Sequence, residues 1–209
     1  MRAAYNLIAG QSLERLAALS DGVFAVAMTL LVLDLRAPVS SLIHSERELW
    51  QALLALAPRL LPYFMTFMTL GIFWVGQQTQ FNRFVRSDRD LTWIQIGFLL
   101  VVTLMPFSTS LLAEFITYRV ALLVYWFNIL LLGVFIFVSW RYATRAGLLK
   151  EDTTPDLHEA MERRVLVAQA LYAIGAALCF INTYVSIGFI VLVQLNYVFA
   201  PRIRALYRI

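Results

Sequence analysis

Charge is scarce in this sequence. Only 14% of its 209 residues are Asp, Glu, Lys or Arg, against about 25% in a soluble domain. Too few charged groups are present to coat a globule with hydrated surface. Cysteine is nearly absent as well. Cys179 stands alone, which excludes an internal disulfide and a thiolate metal cluster. The two histidines, His44 and His158, sit far apart in polar segments and read as solvated loop residues. No group of His, Cys, Asp and Glu has the spacing of metal ligands. No Ser-His-Asp set shares a common depth, and no glycine loop is built to cradle phosphate. The expectation is a protein that is not an enzyme and holds no cofactor and no resident metal.

Apolar residues are what the sequence has instead, at 61% of the chain against a usual 45–50%. They fall in runs long enough to cross a bilayer. The pattern predicts an all-α integral membrane protein with six transmembrane helices, over about 13–35, 59–78, 91–112, 118–139, 165–181 and 184–200. The first run, at 1.5 Å per residue, spans roughly 33 Å, enough for the ~30 Å hydrocarbon layer. Ser12 can cap it, and Glu14 in its first turn suits the helix dipole. It contains Asp21 and ends in Asp34-Leu35-Arg36 without a small-residue cleavage site, so it reads as a span and not as a cleaved signal. Residues 46–57 suggest a short amphipathic helix, Pro106 a kink in the third span, and Asn182-Thr183 a tight turn. The whole chain, 1–209, reads as a single six-helix unit.

The net charge is +4. The basic residues lie between the apolar runs, which points to orientation in a membrane and away from nucleic-acid binding. Arg2, Arg15, Arg83, Arg86, Arg89, Arg141, Arg145, Lys150, Arg163, Arg164, Arg202, Arg204 and Arg208 fall on one side of a six-span threading. Arg36, Arg47, Arg59 and Arg119 fall on the other. The positive-inside rule then places both termini in the cytosol, with the chain in the cell membrane.

The first span carries the unusual chemistry. Asp21 lies about two turns in, where a carboxylate needs a partner. Antiparallel threading brings Trp74, Gln77 and Gln78 of the second span to its depth, with Gln194 and Asn196 of the sixth near that level. A polar cluster of Arg15, Ser20, Asp21, Trp74 and Gln77 is expected, either as a structural hydrogen-bond network or as a place where Asp21 meets ions. A stripe at alternating steps of four and three, Arg15, Leu19, Gly22, Val26, Thr29 and Leu33, shares one side of the helix. It is open to two readings. One is a packing seam with Gly22 allowing close approach. The other is a pore lining, in which symmetric copies stack apolar rings at Val26 and Leu33 around a hydroxyl ring at Thr29.

Arg15-x-x-x-Leu19-Ser20-Asp21, followed by Thr29-Leu30-Leu31-Val32-Leu33, resembles the Arg-x-x-x-Phe-Ser-Asp signature of the transmembrane protein 175 potassium channels. The likeness extends to Phe73-Trp74 and to Leu104-Met105-Pro106-Phe107-Ser108-Thr109. The resemblance implies a homotetramer whose pore is lined by the first helix of each chain. It also implies constriction residues five, eight and twelve positions after the signature aspartate, which are Val26, Thr29 and Leu33 here. Leu30 aligns with a further apolar pore position. The implied function is a potassium-permeable cation channel, with potassium passing transiently near Thr29. The partners implied are further copies of the chain, the bilayer and the permeant ion. Two departures stand out. The signature phenylalanine is Leu19, and the histidine expected shortly after Trp74 is replaced by Gln77 and Gln78, which cannot titrate near neutral pH. A proton-conducting or proton-coupled transporter is the alternative, with Asp21 as its one strong titrating candidate.

Overall fold

A computed structural model describes residues 12–199. Arg2, Arg202, Arg204 and Arg208, and the Ala200 end of the sixth expected span, lie outside the described residues. The described residues form seven α-helices: α1 (Leu13–Leu30), α2 (Glu46–Leu54), α3 (Ala57–Phe81), α4 (Arg89–Glu114), α5 (Arg119–Arg145), α6 (Pro155–Ala177) and α7 (Thr183–Phe199). Among them there is no strand beyond an isolated bridge between Phe84 and Leu149. Five of the helices are long and apolar enough to cross a membrane; α7, at 17 residues, is apolar but shorter. The chain is a multi-pass membrane protein.

Local chemistry explains where the helices begin. Ser12, Ser45, Asp88 and Thr154 each accept a backbone N–H of the following first turn, satisfying donors that have no partner inside the helix. Pro58 and Pro155 occupy first-turn positions, where a missing N–H costs nothing. At the start of α7, Asn182 takes this role, its Oδ1 accepting from Tyr184 N at 2.8 Å. Pro62 and Pro106 lie inside α3 and α4, and both helices run on through them.

Two boundaries differ from the hydropathy reading. The polar stretch 141–164 is mostly helix, since α5 continues to Arg145 and α6 starts at Pro155. Caps and a proline start a helix in water as well as in lipid, so helix length exceeds the apolar length. The last turn of the first span is also not α-helical. Residues Leu31–Asp34 form a 3-10 turn, which rotates successive side chains by about 120° each where an α-helix rotates them by about 100°.

Adjacent long helices run antiparallel, as the pairings show. Asp21 meets Trp74 and Gln78, Gln77 meets Gln95, and Arg141 meets Glu162 at 3.5 Å. One end of the bundle therefore gathers Arg83, Arg86, Arg89, Arg141, Arg145, Lys150, Arg163 and Arg164. At the opposite end Arg59 pairs with Glu114 at 2.6 Å. Between the ends lies a core built on Phe24, Met65, Leu70, Phe98, Met105, Leu122, Ile129 and Ile190, all buried. α4 and α5 approach closely at Gly97, where an added Cβ would fall 2.6 Å from the Phe135 ring. Small residues serve such helix contacts in membranes because apolar burial gives little drive between helices in lipid.

Candidate ion pathway and its polar support

α1 has two sharply different faces. Leu16, Ser20, Phe24 and Ala27 are buried, and Leu31 continues that face into the 3-10 turn. The expected stripe is on the other side. Arg15 and Gly22 are exposed, Leu19 is 51%, Val26 57% and Leu33 66% exposed, and Thr29 is exposed with them. A Cβ added at Gly22 would meet nothing within 4 Å. The stripe is therefore not a seam within the subunit; Leu16, Ser20, Phe24 and Ala27 form that seam. Leu30, 44% exposed, stands beside the stripe. An open apolar groove runs along this flank of α1, lined by Leu19, Gly22, Val26, Leu30 and, from α4, Thr103.

Thr29 is the one hydroxyl on the outer half of the stripe. Its O–H donates back along the helix to the carbonyls of Ala25 (2.9 Å) and Val26 (2.8 Å). The proton is thus held by backbone, and the hydroxyl oxygen can turn lone pairs outward. An oxygen so placed can accept or coordinate but has no proton left to offer an anion.

Behind this face, polar side chains tie α1 to the bundle. Asp21 Oδ1 accepts from Trp74 Nε1 at 2.8 Å and from Gln78 Nε2 at 2.9 Å. Next to it, buried Ser20 donates to Gln77 Oε1. Gln77 Nε2 donates to Gln95 Oε1 at 2.7 Å, and Gln95 Nε2 to Ser139 Oγ at 2.7 Å. One relay of hydrogen bonds thus crosses α1, α3, α4 and α5, and its four members are all at most 1% exposed.

The expected cluster is assembled only in part. Ser20 with Gln77, and Asp21 with Trp74, are brought together. Arg15 is not: its exposed side chain makes no hydrogen bond or ion pair with another described residue. Gln194 also leaves the level expected for it, since its Nε2 donates to Thr69 Oγ1 at 2.6 Å. There it joins a second polar centre, with Thr69 and Thr66 against the Tyr125 hydroxyl at 3.2 and 3.3 Å and Thr66 against Thr109 at 2.7 Å. Gln95, Ser139 and Tyr125 were missed at sequence level. The signal for them was a polar residue amid an apolar run at matching depth in neighbouring spans.

Residues 15–106 match the family described as Endosomal/lysosomal potassium channel TMEM175. A "Potassium channel" of Chamaesiphon minutus is 33% identical over 83% of this chain and 87% of its own length. The chain belongs to the TMEM175 family. A second TMEM175 relative, a "Potassium channel" of Streptomyces collinus, is 32% identical over 88% of this chain and 91% of its own. The crystal structure of a lysosomal potassium-selective channel TMEM175 homolog from Chamaesiphon minutus superposes with a TM-score of 0.78 at 28% identity, over 91% of this chain and 98% of that one. More distant is the Rattus norvegicus "Endosomal/lysosomal proton channel TMEM175", 25% identical over 92% of this chain and 39% of the longer animal protein.

The polar support makes one prediction. Replacing Asp21→Asn keeps an oxygen for Trp74 and Gln78 but removes the charge that strengthens both bonds, a difference of about 1 kcal/mol for charged over neutral acceptors. We expect a lower melting temperature and a lower yield of assembled protein in detergent, with ion preference unchanged. Normal assembly with altered ion preference would place Asp21 on the permeation path instead.

Proposed function

We propose that the chain is a potassium-permeable channel. Four copies place six spans each in the cell membrane, with both termini in the cytosol, and potassium passes down their shared axis. Six crossings require α7 to span as the sixth helix, and the positive-inside rule turns the arginine-rich end inward. The observation that carries the reading is the outward stripe of α1. A helix that buries Ser20 and Phe24 while turning Val26, Thr29 and Leu33 away from its own subunit offers those side chains to an axis shared between copies. Val26 and Leu33 then form apolar rings that exclude water when narrow, and Thr29 supplies a ring of acceptor oxygens in place of part of the ion's hydration shell. No side chain performs chemistry; ions move passively down their gradient. The relay behind Ser20 holds α1 at fixed rotation, so that the rings keep their diameter.

Thr29→Ala is the direct test of the acceptor ring. The substitution removes the whole ring of acceptor oxygens, and if that ring favours potassium over sodium by about 1 kcal/mol the permeability ratio falls roughly fivefold. Bi-ionic reversal potentials in planar bilayers measure it, and an unchanged reversal potential would contradict the role assigned to Thr29.

The naming of animal relatives as proton channels favours a second reading, in which protons use the same axis. Currents recorded under a pH gradient without potassium decide it. A reversal potential that follows the proton gradient supports proton permeation, and one that follows only potassium removes it.

A further inference from the structure

A cleft on the far side of α3 has no place in the permeation scheme. Its wall on α3 is formed by Ile72, Val75, Gly76 and Thr79, which share one helix face, with Phe73 at the edge. Trp74, Gln77 and Gln78, which hold α1, project from the opposite face of the same helix. The other walls come from α5, α6 and α7, with Ile136 on α5, and on α6 they run from Tyr172 to Met161, with Arg164 one turn short of that basic end. Tyr172 and Met161 lie eleven positions apart on α6, so the cleft extends about 16 Å along the bundle axis. Arg164 belongs to the basic end. Its guanidinium lies 6.0 Å from the centre of the Tyr197 ring, and it forms no ion pair with a described carboxylate.

Size and charge together limit the occupant. The enclosed space is about 90 Å³, well below the ~300 Å³ at which ordinary small-molecule pockets begin. A compact cofactor does not fit, but a segment of hydrocarbon chain does, lying partly in the cleft and partly against its open side. The unpaired guanidinium at the rim, at the level where basic side chains reach headgroups, calls for an anion. Gly76 keeps the slot open, since a Cβ built there meets nothing within 4 Å.

We propose that this cleft binds an anionic phospholipid, with an acyl chain between α3 and α6 and its phosphate on Arg164. The lipid would sit on the side of α3 opposite the relay, so its binding does not depend on the path taken by ions. Native mass spectrometry of the assembled protein, released from detergent with equal phosphatidylglycerol and phosphatidylcholine, tests this directly. The wild type is expected to retain phosphatidylglycerol preferentially. Arg164→Gln reduces that preference at least threefold, whereas Arg163→Gln, one position round the helix, leaves it in place. Gly76→Leu fills the slot and lowers retention of both lipids, with Gly76→Ala as a milder variant that adds only one methyl to open space. Undiminished preference in Arg164→Gln, or wild-type retention in Gly76→Leu, would overturn the proposal. So would a Gly76→Leu protein that loses subunits while its lipid binding stays intact, because the cleft would then be a contact between copies.

Discussion

Val26→Trp and Leu33→Trp should each lower potassium flux into liposomes tenfold or more, in protein that still folds and assembles. The size of the effect follows from symmetry. In the proposed tetramer a single substitution would place four indoles around one axis, where smaller apolar side chains would already narrow the path, and a hydrophobic constriction gates by excluding water. Folding survives because Val26 and Leu33 are 57% and 66% exposed on their own subunit, so the added rings displace no buried neighbour. The control is an equally exposed residue away from α1. Leu192 on α7 is 66% exposed, and Leu192→Trp should conduct like the wild type. If Val26 faces lipid, tryptophan there is as harmless as at Leu192. Equal flux through both variants would therefore remove the pore from α1.

Much of this arrangement was legible in the sequence because lipid imposes a simple rule. A backbone crossing hydrocarbon must satisfy its own hydrogen bonds, so an apolar run of sufficient length is a helix. Five of the expected spans coincide with helices long and apolar enough to cross a membrane, and the sixth falls on the shorter apolar helix α7. Their ends were less legible. Hydropathy ends at the headgroups, whereas Thr154, Pro155 and Asp156 start α6 in a segment that is polar throughout. The 3-10 turn at Leu31–Asp34 has no signature in composition at all.

The same division runs through the site. Helical spacing put Arg15, Leu19, Gly22, Val26, Thr29 and Leu33 on one side of the first span, and all six are exposed on the subunit. Spacing reports which residues share a face but not what that face meets; the burial of Ser20 and Phe24 puts the seam within the subunit on the other face of α1. Membership of the first span's N-terminal end did not bring Arg15 into the cluster. Six residues place it about 9 Å along the axis from Asp21 and about 120° round the helix, away from Trp74 and Gln78. Gln194 shows the converse: its partner Thr69 is on α3, two turns from Gln77, and nothing in a linear sequence sets which turn of α3 it meets.

The largest loss of stability should come from Gln77→Leu. Leucine is similar in size and apolar, so it would suit a lipid-buried helix if the site were merely hydrophobic. Gln77 is fully buried and is both acceptor and donor, taking the Ser20 hydroxyl and giving to Gln95. Its loss strands the Ser20 O–H and Gln95 Oε1 away from water, and a buried group left without its partner costs about 1–3 kcal/mol. With two groups stranded, the variant should melt well below the wild type in detergent. Ser20→Ala strands only the Gln77 oxygen and should cost less. The double variant Ser20→Ala, Gln77→Leu removes one stranded group and should recover part of the loss, which independent sites would not do. Recovery also has a functional reading. If the relay sets the rotation of α1, as proposed, Gln77→Leu should broaden ion preference in whatever protein still assembles, and the double variant should not restore it. Stability and selectivity that recover together would mean that the relay only holds the bundle and leaves the rotation of α1 to its apolar seam.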